Sequence, residues 1–142
     1  GYHNEYTTVG PSITVGRSGS VGEVHYIESN FWAHNTSLYV KYFKHAYPKF
    51  SYYLLKTLDL KSLSAGSAVG TLNRNYIHDL PITIPNYSEQ RAIATFLDRE
   101  TERIDALTAK VREFISKLRE YRTALISAAV TGKIDVREEL VS

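Results

Sequence analysis

The sequence predicts an α+β fold in which a β-rich domain precedes one long helix. The chain before Pro85 is rich in Gly, Ser, Tyr and β-branched residues, which favour strands and turns. The chain after Pro85 consists of charged helix formers and has no Gly or Pro until Gly132. We therefore predict a domain over residues 1–87, a helix over residues 88–131 and a tail over residues 132–142.

Composition limits the classes of function. A chain of 142 residues with 43% apolar residues can form one packed domain and an appendage. The chain has no cysteine, which excludes disulfides, cysteine zinc sites and thiol nucleophiles and fits a cytoplasmic protein. Its apolar runs are too short to predict a membrane span. A net charge of +2 permits contact with nucleic acid but does not require it.

Short strands and one helix are predicted in the first part. Residues 13–16 form a strand that leads into a glycine loop, residues 16–22. Residues 23–27 alternate polar and apolar side chains, as a half-buried strand does. Apolar residues in 48–61 recur at spacings of three and four, which predicts a helix. The remaining predictions are a strand over 35–40, a loop over 64–70 and an extended segment at a sheet edge over 80–85.

Two sets of positions recur every seven residues along the long helix. The first set is Leu97, Ile104, Val111, Leu118 and Leu125. The second set is Ile93, Glu100, Leu107, Phe114, Tyr121 and Ala128. The sets interleave at spacings of three and four, which is a coiled-coil heptad with one polar interruption, Glu100. We call the two sets together the seam and predict that it pairs with another helix; the alternative is a helix folded back on its own domain.

Residue types at both ends support this helix. Asn86 or Ser88 is expected to cap the start, and Gly132 suits the C-terminal cap. At ~1.5 Å per residue the helix would be about 65 Å long. A helix of this length with a continuous apolar seam must bury that seam against something.

The junction and the helix also carry a family resemblance. Residues 79–85, followed by residues 88–98 with their Glu-Gln opening, resemble the start of the spacer helices in type I restriction-modification specificity subunits. The closing residues 125–137, which include Thr-Gly-Lys-Ile-Asp, look like the end of such a subunit. Residues 67–74 are similar to the last loop of their target-recognition domains, and the glycine loop has a counterpart there.

The resemblance implies a DNA-binding subunit without catalytic residues. In this family each specificity subunit has two target-recognition domains, each followed by a long helix. The helices pair antiparallel and hold the domains apart on double-stranded DNA, so that each domain reads one half of a split target. Modification (methyltransferase) subunits bind this scaffold and supply S-adenosylmethionine, and restriction subunits supply cleavage. We therefore expect no cofactor in this chain. We also expect no metal, because the five histidines are scattered along the sequence and no two of them lie four residues apart, as a zinc pair on a helix would.

The chain resembles only the C-terminal half of such a subunit. It has one recognition domain and one helix, and the domain looks short before the glycine loop. A lone half lacks the usual partner helix. We therefore expect a homodimer through an antiparallel helix pair, which would favour a palindromic, interrupted DNA target.

Candidate DNA-contacting residues lie in three segments that are rich in the side chains used at protein–DNA interfaces. They are Arg17, Ser18 and Ser20 in the glycine loop, Lys41 and Lys44 in a basic run, and Thr71, Asn73, Arg74 and Asn75 after the second Gly/Ser loop. Each segment has a structural alternative. For the glycine loop it is a plain hairpin turn, and for the basic run it is a solvated face over core aromatics. For the third segment it is a turn that simply favours asparagine. Trp32, between two apolar residues, is expected in the core.

Two further interpretations stay open at this stage. By resemblance, Glu89, Gln90 and Arg91 are expected to contact the modification subunit; the alternative for Glu89 and Gln90 is helix capping and packing. A second class of function is a coiled-coil interaction module that dimerises and binds no DNA. Salt-dependent affinity for duplex DNA would distinguish the two classes.

Overall fold

The computed structural model describes residues 5–64 and 70–137, and it confirms the α+β fold class. Its elements are β1 (Ser12–Gly16), β2 (Val24–Ile27), β3 (Ser37–Tyr39), α1 (Pro48–Thr57), a 3-10 helix (Ser62–Ser64), α2 (Arg74–His78) and α3 (Tyr87–Val130). Most of the loop predicted over residues 64–70 lies outside the described residues. The contacts divide the chain into two units, Gly1–Leu97 and Asp98–Ser142. In the described ranges, no helix has both the length and the apolar character needed to cross a bilayer.

The three strands form one antiparallel sheet with β1 in the centre, in the order β2-β1-β3. Val15 in β1 lies opposite Val24 on one side and Leu38 on the other. Because β1 has a neighbour on each side, most of its residues are buried. At its end, a Cβ on Gly16 would lie 1.8 Å from the carbonyl oxygen of Ser20, so the glycine loop closes only over a residue without a side chain.

Helix α1 starts as predicted but ends earlier. Pro48 occupies its first turn, where proline lacks only an amide hydrogen that a helix start leaves unbonded anyway. The helix ends at Thr57 rather than Lys61, because Leu58 is extended, with φ −83° and ψ 136°. The turn that follows buries Leu60, which is 1% exposed, beneath the sheet residues. The predicted C-terminal end of this helix was therefore wrong.

The core is small and joins residues that are distant in sequence. Val15, Leu60 and Leu72 form its buried centre, surrounded by half-buried apolar side chains. Trp32 is not part of it, because 47% of this residue is exposed. The expectation of a core tryptophan was wrong. Residues 81–86 form neither helix nor strand, so the segment predicted at a sheet edge does not join the sheet.

Helix α3 begins with two reciprocal hydrogen bonds. The side-chain oxygen Oδ1 of Asn86 accepts from the backbone N–H of Glu89 at 3.0 Å. The Glu89 carboxylate accepts from the backbone N–H of Asn86 at 3.2 Å. This is a capping box, in which two backbone donors that a helix start leaves unpaired are both satisfied. Of the two predicted capping residues, Asn86 is the one that caps the helix.

Gln90 fixes the first turn of α3 to the domain. Its Oε1 accepts from the backbone N–H of Tyr47 at 2.8 Å, and its Nε2 donates to the carbonyl oxygen of Pro85 at 2.9 Å. Gln90 is 1% exposed, and Ala94, one turn further, is fully buried. The rings of Tyr47 and Tyr87 pack edge to face beside it, with centroids 5.9 Å apart. These two hydrogen bonds therefore satisfy a polar side chain that would otherwise be costly to bury.

The other end of α3 is capped by glycine, as predicted. Gly132 has φ 71°, and its N–H donates to the carbonyl oxygen of Ala129 at 3.2 Å. The N–H of Lys133 donates to the carbonyl oxygen of Ala128 at 2.8 Å. This pair of bonds is a Schellman motif, which requires a left-handed residue and therefore favours glycine.

Replacing Gln90 with leucine tests its two hydrogen bonds. Leucine is similar in size to glutamine but has no amide, so the Gln90→Leu variant leaves the Tyr47 N–H and the Pro85 carbonyl unpaired. We expect the free energy of unfolding, measured by urea titration, to fall by about 2–4 kcal/mol. The control, Arg91→Ala, changes an exposed neighbour and should stay within about 0.5 kcal/mol of the unaltered chain. An equal loss of unfolding free energy in the two variants would show that the hydrogen bonds of Gln90 do not stabilise the fold.

Candidate nucleic-acid interface

A cleft of about 630 Å³ opens beside β3 and α2, within the first unit. Its floor is apolar, and basic and aromatic side chains lie around it. The apolar residues are Ile13, Val15, Leu38, Val40, Leu55 and Ile77, and the basic ones are Lys41, Lys44, Arg74 and His78. We call these last four residues the basic rim. The cleft thus brings together two of the three segments for which DNA contact was predicted.

The chain just after β3 supplies one side of the rim. Lys44 has φ 48°, a left-handed conformation that is uncommon for a residue other than glycine. It lies in a turn closed by a hydrogen bond from Ala46 N–H to the carbonyl oxygen of Phe43, at 2.7 Å. The ammonium of Lys41 lies 5.4 Å from the ring centroid of Tyr42, within the range of a cation–π contact. Both lysines are exposed, so their charges are available to a ligand.

Helix α2 supplies the other side of the rim. Asn73 is its N-cap, and the Asn73 side chain accepts from the backbone N–H of Asn75 at 3.0 Å. Arg74 and His78 lie four residues apart and therefore share one face of the helix. His78 was not among the residues for which DNA contact was predicted. A helical interpretation of this segment would have placed it beside Arg74.

The glycine loop is bonded through its backbone to the chain just before α2 and just before β3. The carbonyl oxygen of Arg17 accepts from the N–H of Leu72 at 2.9 Å, and the N–H of Arg17 donates to the carbonyl oxygen of Thr36 at the same distance. The side chains of Arg17, Ser18 and Ser20 are exposed, but they do not line the cleft. Thr71 is half-buried. The loop and the basic rim are thus two neighbouring surfaces.

The charge around the cleft has one sign. Lys41, Lys44 and Arg74 carry permanent positive charge at neutral pH. None of the described residues lining the cleft is Asp or Glu. A concave surface lined by charges of one sign attracts ions of the opposite sign. This arrangement can hold an anionic ligand such as a phosphate backbone. Among residues 5–64 and 70–137, His, Asp and Glu side chains form no group that could bind a metal ion.

The three residues expected to contact a modification subunit differ in exposure. Gln90 is buried and both ends of its amide are bonded within the chain, so it offers no surface to a partner. Glu89 is exposed but caps the helix. The structure therefore favours capping and packing for these two residues. Arg91 is exposed.

The seam along α3 is largely exposed to solvent. Ile93 at the start of the seam is 40% exposed, Leu97 is half-buried and Ile104 is 60% exposed. The other exposed apolar residues of the predicted pairing surface are Leu107, Val111, Phe114, Leu118, Tyr121 and Leu125. Such a continuous exposed apolar surface is typical of an interaction site rather than of an isolated soluble helix.

Comparison with known proteins identifies the family. Residues 1–116 match the family described as the type I restriction modification DNA specificity domain. The chain belongs to this family. It is 28% identical over 116 residues to the type I restriction enzyme StySPI specificity subunit of Salmonella potsdam, which covers 82% of this chain and 22% of that protein. The resemblance drawn from the junction and the helix is thereby confirmed.

Two further relatives are specificity subunits from Escherichia coli. The EcoKI subunit of strain K12 is 31% identical over 75 residues, or 53% of this chain and 16% of that protein. The EcoBI subunit is 28% identical over 94 residues, or 66% of this chain and 19% of that protein. The chain therefore spans about a fifth of the length of the curated relatives it matches.

Two substitutions at Asn73 separate capping from base recognition. Asn73→Ala removes the cap of α2 and should lower the free energy of unfolding by about 1 kcal/mol in a urea titration. Asn73→Ser preserves a capping oxygen and should retain most of that stability. A serine variant that is as unstable as the alanine variant would contradict the capping role. A stable serine variant with weakened DNA binding would show that Asn73 also contacts DNA.

Proposed function

We propose that this chain is the non-catalytic DNA-recognition part of a type I restriction-modification system and reads one half of a split target. The convergence of Lys41, Lys44 and Arg74 on one cleft carries this proposal. The residues come from segments about thirty positions apart in sequence, and the family is described as a DNA specificity domain. Catalysis would come from other subunits.

In this proposal the basic rim and the glycine loop both contact DNA, in different ways. Lysine and arginine on the rim contact phosphates, which fixes the position of the domain on the duplex. Arg17 and the serines of the glycine loop lie where the backbone itself can approach a phosphate closely. Arginine and asparagine are also the side chains that best distinguish guanine and adenine in the major groove. Arg17, Arg74 and Asn75 are therefore the candidates for base contacts.

Modification and restriction subunits are the proposed protein partners. The relatives are named specificity subunits of type I restriction enzymes, which supports an assembly of this kind. S-adenosylmethionine would be bound by the modification subunit. Arg91, exposed in the first turns of α3, is the candidate contact for that subunit.

A second copy of the chain is the proposed partner of the seam. Apolar side chains along more than three heptads are exposed, and burying them against an identical helix would remove them from water. Two-fold symmetry would then present two identical recognition domains to one duplex. The expected target is a palindrome interrupted by a spacer.

Removing the charges of the basic rim tests DNA binding. The triple variant Lys41→Gln, Lys44→Gln and Arg74→Gln should bind duplex DNA more weakly. The slope of log affinity against log salt concentration should become shallower by about 0.9 for each phosphate that the variant no longer neutralises, or about 2–3 in total. Fluorescence anisotropy with a library of duplexes at several salt concentrations measures this slope.

The matched control removes the same charge elsewhere. Arg112→Gln, Arg119→Gln and Lys133→Gln lie in or after α3 and do not line the cleft. This variant should keep the slope of the unaltered chain. An equal change of slope in both variants would mean that the cleft is not the binding surface, and no binding by the unaltered chain would reject the DNA-binding role.

An interaction module without DNA binding is the second candidate. The exposed seam and the net charge of only +2 favour it. This candidate predicts the same helix pairing but no salt-dependent affinity for DNA, so the salt titration distinguishes the two.

Introducing a charge into the seam tests whether two copies of the chain pair through it. Leu118→Asp places a carboxylate in the centre of the proposed interface, where burial without a partner is costly. We expect the unaltered chain to sediment as a dimer and Leu118→Asp as a monomer. Because Leu118 is 51% exposed in the single chain, the substitution should leave its circular dichroism unchanged. Arg119→Asp, one residue along and outside the seam, is the control and should remain dimeric.

A further inference from the structure

The recognition domain covers one side of the first turns of α3, just before the seam. Seven residues before Leu97, the same heptad position is held by Gln90. Gln90 is buried and bonded to Tyr47 and Pro85, so the domain covers the helix at this position. Leu97 is half-buried, and Ile104 is the first member of its set that is mostly exposed. The first set of the seam is therefore fully open to a second helix only from Ile104 onward, whereas Ile93 of the second set is 40% exposed.

Glu100 also limits the part of the seam that a second helix can cover. It interrupts the second set of the seam and binds Arg99 at 2.9 Å and Arg103 at 3.9 Å. Pressing this carboxylate against an apolar partner would remove both it and its arginine partners from water. The seam is uninterrupted by charge only from Ile104 to Ala128.

These eight positions have a spacing that is the same from either end. They are residues 104, 107, 111, 114, 118, 121, 125 and 128, with gaps that alternate between three and four. When two identical helices lie antiparallel, each of these eight positions can lie directly opposite another of the eight on the second helix. The stretch is thus suited to pairing with itself in an antiparallel arrangement.

We propose that two copies pair antiparallel in one register, centred on Ser116. In this register Ile104 lies opposite Ala128 of the second copy, and Leu107 opposite Leu125. Val111 then lies opposite Tyr121, and Phe114 opposite Leu118. This inference rests on the homodimer of the proposed function, and it adds the residues that face each other and the reason why they do.

Neighbouring registers are less favourable because they expose apolar residues or bury charged ones. Lengthening the overlap by one heptad places Glu100 opposite Leu125 and brings Lys110 beside Lys117 of the other copy. Shortening the overlap by one heptad leaves Ile104 and Leu107 exposed. A parallel pair in register would place Glu100 against Glu100, and like charges in a buried layer repel.

The proposed register has one like-charge contact, at its centre. Lys117 of each copy approaches Lys117 of the other across the two-fold axis. Glu113 lies 2.6 Å from Lys117 within the same helix and compensates part of this repulsion. The longer register would instead have two Lys110–Lys117 contacts, so charge favours the proposed one.

The register matters because it fixes the span of the dimer. A shift of one heptad would slide one helix along the other by about 10 Å. A dimer with a single register therefore selects a single spacer length between the two half-sites. Gln90 and Glu100 would thus contribute to target specificity without contacting DNA.

Engineered cysteines test the register directly, because the chain has no cysteine of its own. The variant with Leu107→Cys and Leu125→Cys should form disulfide-linked dimers under mild oxidation, seen as a shift from 16.1 kDa to twice that mass on a non-reducing gel. Among antiparallel arrangements, the matched variant with Leu107→Cys and Leu118→Cys links only in the longer register. Leu107→Cys alone links only in a parallel dimer. We expect neither control to link efficiently.

The outcomes separate this inference from the proposed function. Linking in either control, in preference to the Leu107 and Leu125 pair, would overturn the proposed register while leaving the dimer intact. A chain that sediments as a monomer and links in no variant would reject both the register and the homodimer. Efficient linking of the Leu107 and Leu125 pair in a chain without DNA affinity would support the register and reject the DNA-binding role.

Discussion

The two hydrogen bonds of the Gln90 side chain join the helix start to the segment just before it and to a loop 43 residues away in sequence. They connect the first turn of α3, the proline-containing segment before it and the loop that leads into α1. Because Gln90 is buried, each bond replaces one that water would otherwise make, and breaking either would leave a buried polar group unpaired. The position of the helix start relative to the sheet therefore depends on a single amide, supported by the capping box of Asn86 and by the packing of Tyr47 on Tyr87.

One face of α3 thus has two environments. At Gln90 and Ala94 it belongs to the recognition domain and is buried, whereas from Ile104 onward it is exposed. The heptad pattern alone does not reveal this change, since the same spacing continues through both regions. What differs is the residue type: an amide that can satisfy specific backbone groups occurs where the domain packs, and aliphatic and aromatic side chains occur where a partner can bind.

Periodicity made the long helix and its seam predictable, because a repeat over many heptads is a strong signal. The caps at Asn86 and Gly132 were predictable for a related reason, since each residue type suits a specific backbone requirement. The five-residue helix α2 is too short for a period to be visible, so His78 was missed. Trp32 was placed in the core from its apolar neighbours, yet in this small domain the buried positions are taken by Val15, Leu60 and Leu72. Tertiary contacts of that kind have no local sequence signal.

The cleft shows why net charge is a weak guide to nucleic-acid binding. The charge of +2 averages over a helix in which acidic and basic side chains nearly cancel. Folding separates these contributions, because Lys41, Lys44 and Arg74 gather at one concave surface whose described lining includes no carboxylate. The local potential at such a surface depends on charges within roughly a Debye length, about 8–10 Å at physiological salt, and not on the sum over the chain. A nearly neutral protein can therefore present a strongly basic site, and the contacts that create it are those of the sheet and α2.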